Sequence, residues 1–275
     1  GGARPLCMQE AITKLLHKIL ADRITTLVSP HIAEYQKCMS LAEGLMEARN
    51  RVVESIQPGC TVIQYDFTNA FGTIRRTKII ERLKHYQVPQ PYIRYIAKML
   101  RRQKIEWGGE DGENRTMSIE TGVPQGEPLS MLLFALGVDK IIQDFNQMEG
   151  ATMTAYADDI IMVIQDNDRM LEMIENFEKV AKEHGLSCNA SKMKIGVTVE
   201  IPEDIMNKLN EKEIKVMNLK EEMMEYVGLP ITLSEEKEEQ FIKEKVQECV
   251  KTTKDLWENR VPLQMKYHLQ KLCVD

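Results

Sequence analysis

Three aspartates stand where aspartate is costly. Asp66 closes the short β-branched run TVIQY (61–65), and Asp158-Asp159 separates two further strand-like runs, ATMTAYA (151–157) and IIMVIQ (160–165). Two residues between such runs is hairpin spacing, which puts Asp158-Asp159 at the tip of a β-hairpin. Both neighbouring elements are apolar enough to be buried. Carboxylates crowded at buried strand ends repel one another unless a cation neutralises them. Two unit charges about 4 Å apart cost roughly 4 kcal/mol at an effective dielectric of about 20. Mg²⁺ suits such a place, because it takes oxygen ligands and is held by one or two carboxylates together with substrate phosphates. Two such ions can stabilise the attacking and leaving oxygens of an in-line phosphoryl displacement. Asp-Asp is also an ordinary turn dipeptide and Asp66 an ordinary strand terminator, so the pattern has to be weighed with what surrounds it.

Other residues with chemical potential lie around these. Phe71 follows Asp66 by five positions in YDFTNAF (65–71). Gln125 and Gly126 sit in TGVPQGEPLS (121–130), where Pro124 and Pro128 stiffen the chain and Gly126 lets backbone approach a ligand closely. Lys192 and Lys194 fall in HGLSCNASKMK (184–194), and Tyr226 and Gly228 in YVGLP (226–230). Arg75, Arg76, Lys78, Arg82 and Lys84 form one basic run and Arg101, Arg102 and Lys104 another. Either run could follow a nucleic-acid backbone or simply be a solvated helix face. The five histidines show no ligand spacing, and Met223-Met224 reads as adaptable packing.

The elements that must position these residues follow from periodicity. Helical spacing runs over 6–28 and about 40–56, and over two helices within 75–104 broken at Pro89 and Pro91. A hairpin is expected around GGEDGEN (108–114), an apolar helix over 129–148, and a helix over 168–184 ended by Gly185. Strands are expected at 61–66 and 194–199, with a short strand pair near 226–233 and a helix near 234–258. The Glu-, Lys- and Met-rich stretch from about 200 gives no further element. There is no internal repeat or low-complexity tract.

The 275 residues, 43% hydrophobic and 28% charged, suit one large domain, or one and a half, with a sizeable core. No stretch approaches 18 uncharged apolar residues, so no transmembrane helix is expected. The first residues, Gly1-Gly2-Ala3-Arg4-Pro5, show neither an initiator Met nor a signal-peptide pattern, and the chain reads as a piece of a longer protein. Six scattered cysteines without a C-x-x-C pair argue against zinc and against a disulfide framework, and favour a reducing compartment. The net charge of −6 hides a division: residues 1–107 carry +8 and residues 108–275 carry −14. A basic first part can meet phosphates while the whole stays acidic.

Taken in order, these motifs resemble those of reverse transcriptases. YADD (156–159) is similar to their signature, YDFTNAF to their first palm motif, and TGVPQGEPLS to their Gly-x-Pro-Gln-Gly-x-x-Leu-Ser motif. HGLSCNASKMK resembles their Gly-Leu-x-x-Asn-x-x-Lys motif, and YVGLP the Tyr-x-Gly strand that grips the primer. The opening GGARPLCMQEAITKLLHKILADRI resembles their Arg-Pro-Leu/Ile fingers motif and its helix. The likeness covers roughly 1–235 and is greatest to the non-LTR retrotransposon type, which the AEG run at 42–44 after Tyr35-Gln36 also resembles; group II intron and retron enzymes are near relatives. Gly72, where many relatives have Asp, and Met131, where they often have Pro, depart from the pattern without touching an expected metal ligand.

The resemblance implies an α+β fold: a polymerase palm with a central antiparallel sheet backed by helices, partial fingers over 1–60, a palm over 61–233 with a finger-like insertion at about 75–120, and the start of a helical thumb over 234–275. It implies RNA-directed DNA synthesis, with an RNA template, a DNA primer and dNTPs as partners, no membrane, and two Mg²⁺ ions (or Mn²⁺) as cofactors. Asp66 and Asp158 would bind the metals, with Asp159 as a nearby third carboxylate and the Phe67 carbonyl as a further ligand. Arg4 would hold the triphosphate, and Gln125 and Gly126 would lie against the nucleotide and template base. Phe71 would exclude a 2′-hydroxyl, and Ala157 would keep space beside the sugar. Lys192 would protonate the leaving pyrophosphate, with Lys194 as its rival, and Tyr226 and Gly228 would grip the primer. The compartment would be nuclear for a eukaryotic non-LTR element and cytoplasmic otherwise. The alternative reading is a catalytically silent palm that serves as an RNA-binding scaffold; an RNA-dependent RNA polymerase is disfavoured by Phe71 and by YADD in place of Gly-Asp-Asp.

Overall fold

A computed structural model describes residues 10–39, 44–108 and 113–258. Its elements run α1 (Ala11–Ile32), α2 (Gly44–Ser55), β1 (Thr61–Tyr65), the single turn α3 (Ala70–Thr73), α4 (Arg76–His85), α5 (Gln90–Arg101), β2 (Lys104–Gly108), β3 (Asn114–Ser118), α6 (Ser130–Asn146), β4 (Ala151–Tyr156), β5 (Asp159–Ile164), α7 (Met170–Glu183), β6 (Lys194–Val197), α8 (Glu203–Glu211), β7 (Lys215–Asn218), β8 (Met224–Tyr226), β9 (Leu229–Ile231) and α9 (Glu235–Glu258). Almost every expected element is present. Arg4, Cys7, Ala42-Glu43, the turn of the β2–β3 hairpin and the last residues of the expected thumb lie outside the described residues.

The central sheet has the order β4-β5-β1-β6-β7. It is antiparallel from β4 to β6, while β7 pairs in parallel with β6, Lys194 opposite Lys215. The expected central antiparallel sheet is present, with one parallel pairing at its β7 edge. The parallel pairing needs a crossover, which α8 supplies; neither α8 nor β7 is among the elements expected from the sequence.

Helices back the sheet as expected, and its other face is covered as well. Ile63 and Tyr65 of β1 and Ile160, Met162 and Ile164 of β5 point into the larger core, against α1 and α4–α7. The alternate residues Val62, Ile161 and Val163 point the other way, into a second core closed by Ala48 and Val52 of α2 and by Met224, Tyr226 and Ile231 of the β8–β9 hairpin. Period-2 alternation thus divides one apolar strand between two cores. On α1 the buried stripe is His17, Leu20, Ile24, Val28 and Ile32, while Ile12, Leu15, Leu16, Ile19 and Leu27 face outward.

One charge lies inside the larger core. Asp139, fully buried on α6, receives hydrogen bonds from Tyr35 Oη, from Arg82 Nε at 2.5 Å and from Tyr86 Oη at 2.8 Å. Gln143 Nε2 donates to both tyrosine hydroxyls, at 2.8 and 3.0 Å. Arg82, one of the expected basic run, therefore turns inward. Arg76 does likewise: its guanidinium donates to the carbonyls of Leu100, Ile119, Thr121 and Gly122 and to Gln103 Oε1, all within 3.0 Å.

Removing one partner of a buried, hydrogen-bonded pair leaves an uncompensated charge. Asp139→Leu is expected to cost about 3–5 kcal/mol in urea unfolding. The double variant Asp139→Leu/Arg82→Met is expected to be more stable than Asp139→Leu alone. Equal stability of the single and double variants would show that Arg82 is not held by Asp139.

Candidate active site

β1, the middle strand, delivers Asp66 to one end of the sheet, and the next residues are clamped there. Phe67 bridges Cys188, Thr68 N–H donates to the Ser187 carbonyl at 2.9 Å, and Asn189 N–H donates to the Asp66 carbonyl at 2.8 Å. Neither of these two bonds uses the Phe67 carbonyl. β5 lies directly beside β1, with Tyr65 opposite Ile160, so the β4–β5 turn arrives next to Asp66.

Tyr156 pairs with Asp159, so the two-residue turn is Ala157-Asp158 and Asp159 is the first residue of β5. This shifts the expected tip by one residue. Ala157 adopts φ 56°, left-handed backbone that costs a residue with a Cβ roughly 1–2 kcal/mol, and it is buried. Gln36, fully buried, brackets it: Ala157 N–H donates to Gln36 Oε1 at 2.8 Å and Gln36 Nε2 donates to the Ala157 carbonyl at 3.3 Å.

The carboxylates sense one another. Loss of hydrating water pushes the Asp159 pKa up, and the Asp158 and Asp66 charges push it the same way; Lys194 opposes them. Asp66 Oδ1 is shielded from solvent and, among the described residues, receives no hydrogen bond; Lys192 Nζ lies 3.8 Å from it. Asp66 and Asp159 line a cleft of about 360 Å³ together with Lys192, Lys194 and Lys215. Both candidate lysines therefore stand at the carboxylates, and Lys215 of the unforeseen β7 joins them. Among the described residues no group of three His, Cys, Asp or Glu side chains is set to hold a metal ion unaided. The donor set fits Mg²⁺ all the same, since that ion is held through one or two carboxylates and completes its shell with water and substrate phosphate. An oxygen left without a proton donor and a carboxyl raised by its neighbours are what such an ion would satisfy.

Phe71 follows a left-handed Asn69 (φ 53°) and stacks on Phe134 of α6, with centroids 4.5 Å apart. Its loop is fixed by Gly122: the Phe71 carbonyl accepts from Val123 N–H at 2.7 Å, and a Cβ at Gly122 would stand 2.4 Å from the carbonyls of Phe71 and Gly72.

Gln125 and exposed Gly126 (φ 84°) lie in the loop before α6 rather than in its first turn. Two residues overlooked in the sequence hold that loop. Buried Glu127 accepts from Leu129 N–H at 3.0 Å and Ser130 Oγ at 3.3 Å, and it pairs with His17, whose Nε2 lies 2.8 Å from Tyr95 Oη. A histidine on the buried stripe of α1 was the available signal.

Tyr226 is fully buried, and its hydroxyl donates to the Asp159 carbonyl at 3.2 Å. Its side chain thus ties the β8–β9 hairpin to the start of β5. The turn itself, Val227 (φ 48°) and Gly228 (φ 80°), has open space around Gly228. Arg4 lies outside the described residues.

A family model described as reverse transcriptase (RNA-dependent DNA polymerase) matches residues 1–231. The chain belongs to that family. Relatives include the Pol polyproteins of R2 elements, non-LTR retrotransposons, from Popillia japonica (27% identical, over 69% of this chain) and Nasonia vitripennis (24%, over 66%). The chain spans 29% and 19% of those two proteins. Among solved structures, apo telomerase from Candida tropicalis truncated from its C-terminal domain aligns with TM-score 0.56 at 13% identity, over 80% of this chain and 45% of that one. Telomerase from Candida albicans, in complex with a fragment of telomeric RNA, aligns with TM-score 0.55 at 12% identity, over 81% and 37%. The shared fold is the polymerase palm of this reverse transcriptase domain. Among the described residues no helix is long and apolar enough to cross a membrane.

Proposed function

We propose that this reverse transcriptase domain is the catalytic core of a non-LTR retroelement polymerase, extending a DNA primer on an RNA template with dNTPs. The observation that carries this reading is the meeting of Asp66 with the Ala157-Asp158 turn and Asp159, beside a cleft edged by Lys192 and Lys194. Two Mg²⁺ ions held there by Asp66 and Asp158 would supply the charge that lowers the pKa of a primer 3′-hydroxyl and neutralises the triphosphate.

The chain's own residues provide position and charge. Asp66 and Asp158 would hold the ions, with Asp159 and the Phe67 carbonyl as further oxygens. Lys192, 3.8 Å from Asp66, would give a proton to the departing pyrophosphate, and Lys194, which acts on Asp159, is its rival. The Phe71 ring, braced flat against Phe134, would leave no room for a 2′-hydroxyl. Gln125 and Gly126 offer a backbone ledge to the nucleotide and template, and Ala157 presents a small side chain next to the metal site. Arg4 is assigned to the triphosphate by motif alone. The primer-gripping role falls to the open Val227-Gly228 turn, while Tyr226 supports it from inside. In this reading, residues 1–60 belong to the fingers and 61–233 to the palm, with the finger-like insertion at about 75–120; the thumb begins at α9, within 234–275.

The test is extension of a labelled DNA primer on an RNA template in Mg²⁺, with dNTPs or rNTPs supplied separately. Extension with dNTPs is expected, and Asp158→Ala is expected to lower its rate on the order of 10²–10³-fold or more. Phe71→Val is expected to relax discrimination against rNTPs by roughly tenfold or more. RNA binding without extension, in a chain carrying its natural flanking regions, would support the scaffold instead.

A further inference from the structure

The turn that carries Asp158 holds a residue that should not be there without help. Two-residue hairpin turns with positive φ at the first position favour glycine, asparagine or aspartate. Here the residue is Ala157, at φ 56°. What offsets the strain comes from a segment 121 positions away in the chain.

After α1 the backbone turns, and Tyr35-Gln36 runs alongside the edge strand β4. Gln36 forms a parallel bridge with Ala155, whose N–H donates to the Tyr35 carbonyl at 2.8 Å. The Gln36 side-chain amide then reads both polar groups of Ala157, accepting from its N–H and donating to its carbonyl. A primary amide is the side chain that can do both at once. Cys38 Sγ lies 3.1 Å from the same Oε1 and fixes the sense of the amide, oxygen towards the two donors. Gln36 has no solvent contact, so each of these bonds replaces water that cannot reach the turn. Tyr35 is itself anchored through its hydroxyl to Asp139 and Gln143. The buried charge network of α4 and α6 is therefore linked, through two adjacent residues, to the backbone that aims Asp158.

We propose that Gln36 is a positioning residue for Asp158: by bracketing the N–H and carbonyl of Ala157, it holds this turn in the left-handed geometry that presents Asp158 beside Asp66. The proposal rests on the reading of Asp158 as a catalytic residue, and its test separates the two. Gln36 touches neither the cleft nor any reacting atom, so its effect should appear in the turn's order and in kcat.

Gln36→Met keeps the side-chain volume and removes both hydrogen bonds. Glycine tolerates positive φ without strain, so Ala157→Gly should relieve the need for the bracket. Amide hydrogen exchange is measured on wild type, Gln36→Met, Ala157→Gly and the double variant, without metal or substrate. Gln36→Met is expected to speed exchange at least tenfold in the 153–162 segment while leaving α7 and the β1–β6 pairing within twofold. The double variant should recover most of that protection. In primer extension, Gln36→Met should lower kcat at least tenfold with KM for dNTP changed less than threefold, and the double variant should exceed Gln36→Met. Exchange that rises uniformly through the domain, or that Ala157→Gly does not suppress, would overturn the proposal and make Gln36 a packing residue. A Gln36→Met chain that folds only when it also carries Ala157→Gly would support it; failure of both to fold would overturn it. The expected exchange pattern, with no extension by a wild-type chain carrying its natural flanking regions, would refute the polymerase reading alone.

Discussion

Asp159, exposed at the start of β5, stands against two like charges. Its carboxyl is partly deprived of water and faces the charges of Asp158 and Asp66, so its pKa rises, and Lys194 relieves only part of the repulsion. A carboxylate with a raised folded-state pKa costs stability at neutral pH, and the cost is relieved only as pH falls through that raised value. The sheet nevertheless brings the three acids together, since β5 pairs with β1 in a register that leaves no choice once Tyr65 lies opposite Ile160. A divalent cation relieves the repulsion without a change of pH, and the lysine-edged cleft beside it is open to an anionic ligand.

Holding like charges together demands a frame that does not yield. The sheet is packed on both faces, and each face contributes a hold on the acids. From the larger core, Tyr35 and Gln36 brace the Ala157 turn. From the smaller core, the Tyr226 hydroxyl grips the Asp159 carbonyl. At the sheet's end, the 187–189 strip hydrogen-bonds the backbone around Asp66 and Phe67. The Phe71 loop and the loop carrying Gln125 are held in the same manner, one by backbone contact at Gly122 and the other by the buried Glu127–His17 pair. Of the groups that fix these segments, Tyr35, Gln36, Tyr226, Glu127 and His17 are buried and hydrogen-bonded or ion-paired.

The parts legible in the sequence were those with local cause. The strands around the aspartates are short and β-branched, the helices have Pro or Gly at their limits, and Asp66, Phe71 and Asp158 stand at fixed offsets within them. What escaped depends on partners far along the chain. Ala157 in a left-handed turn is unexpected from its neighbours and intelligible only with Gln36. The basic run after β1 resembled a solvated face, yet Arg76 and Arg82 find acceptors as far as 24–61 residues away. α8 carries the helical spacing Ile205, Met206 and Leu209 behind Pro202, a signal that was passed over, whereas β7 buries only Met217 and shows no such period. β7 exists because β6 offers it a free edge.

The most direct measurement is urea unfolding of wild type and Asp159→Asn, each in EDTA and in Mg²⁺, near pH 7. If repulsion among the three acids is the strain that the cation relieves, Asp159→Asn is more stable than wild type in EDTA, and Mg²⁺ stabilises wild type more than the variant. An Asp159→Asn chain that is less stable than wild type in EDTA, with the same response to Mg²⁺, would contradict the account.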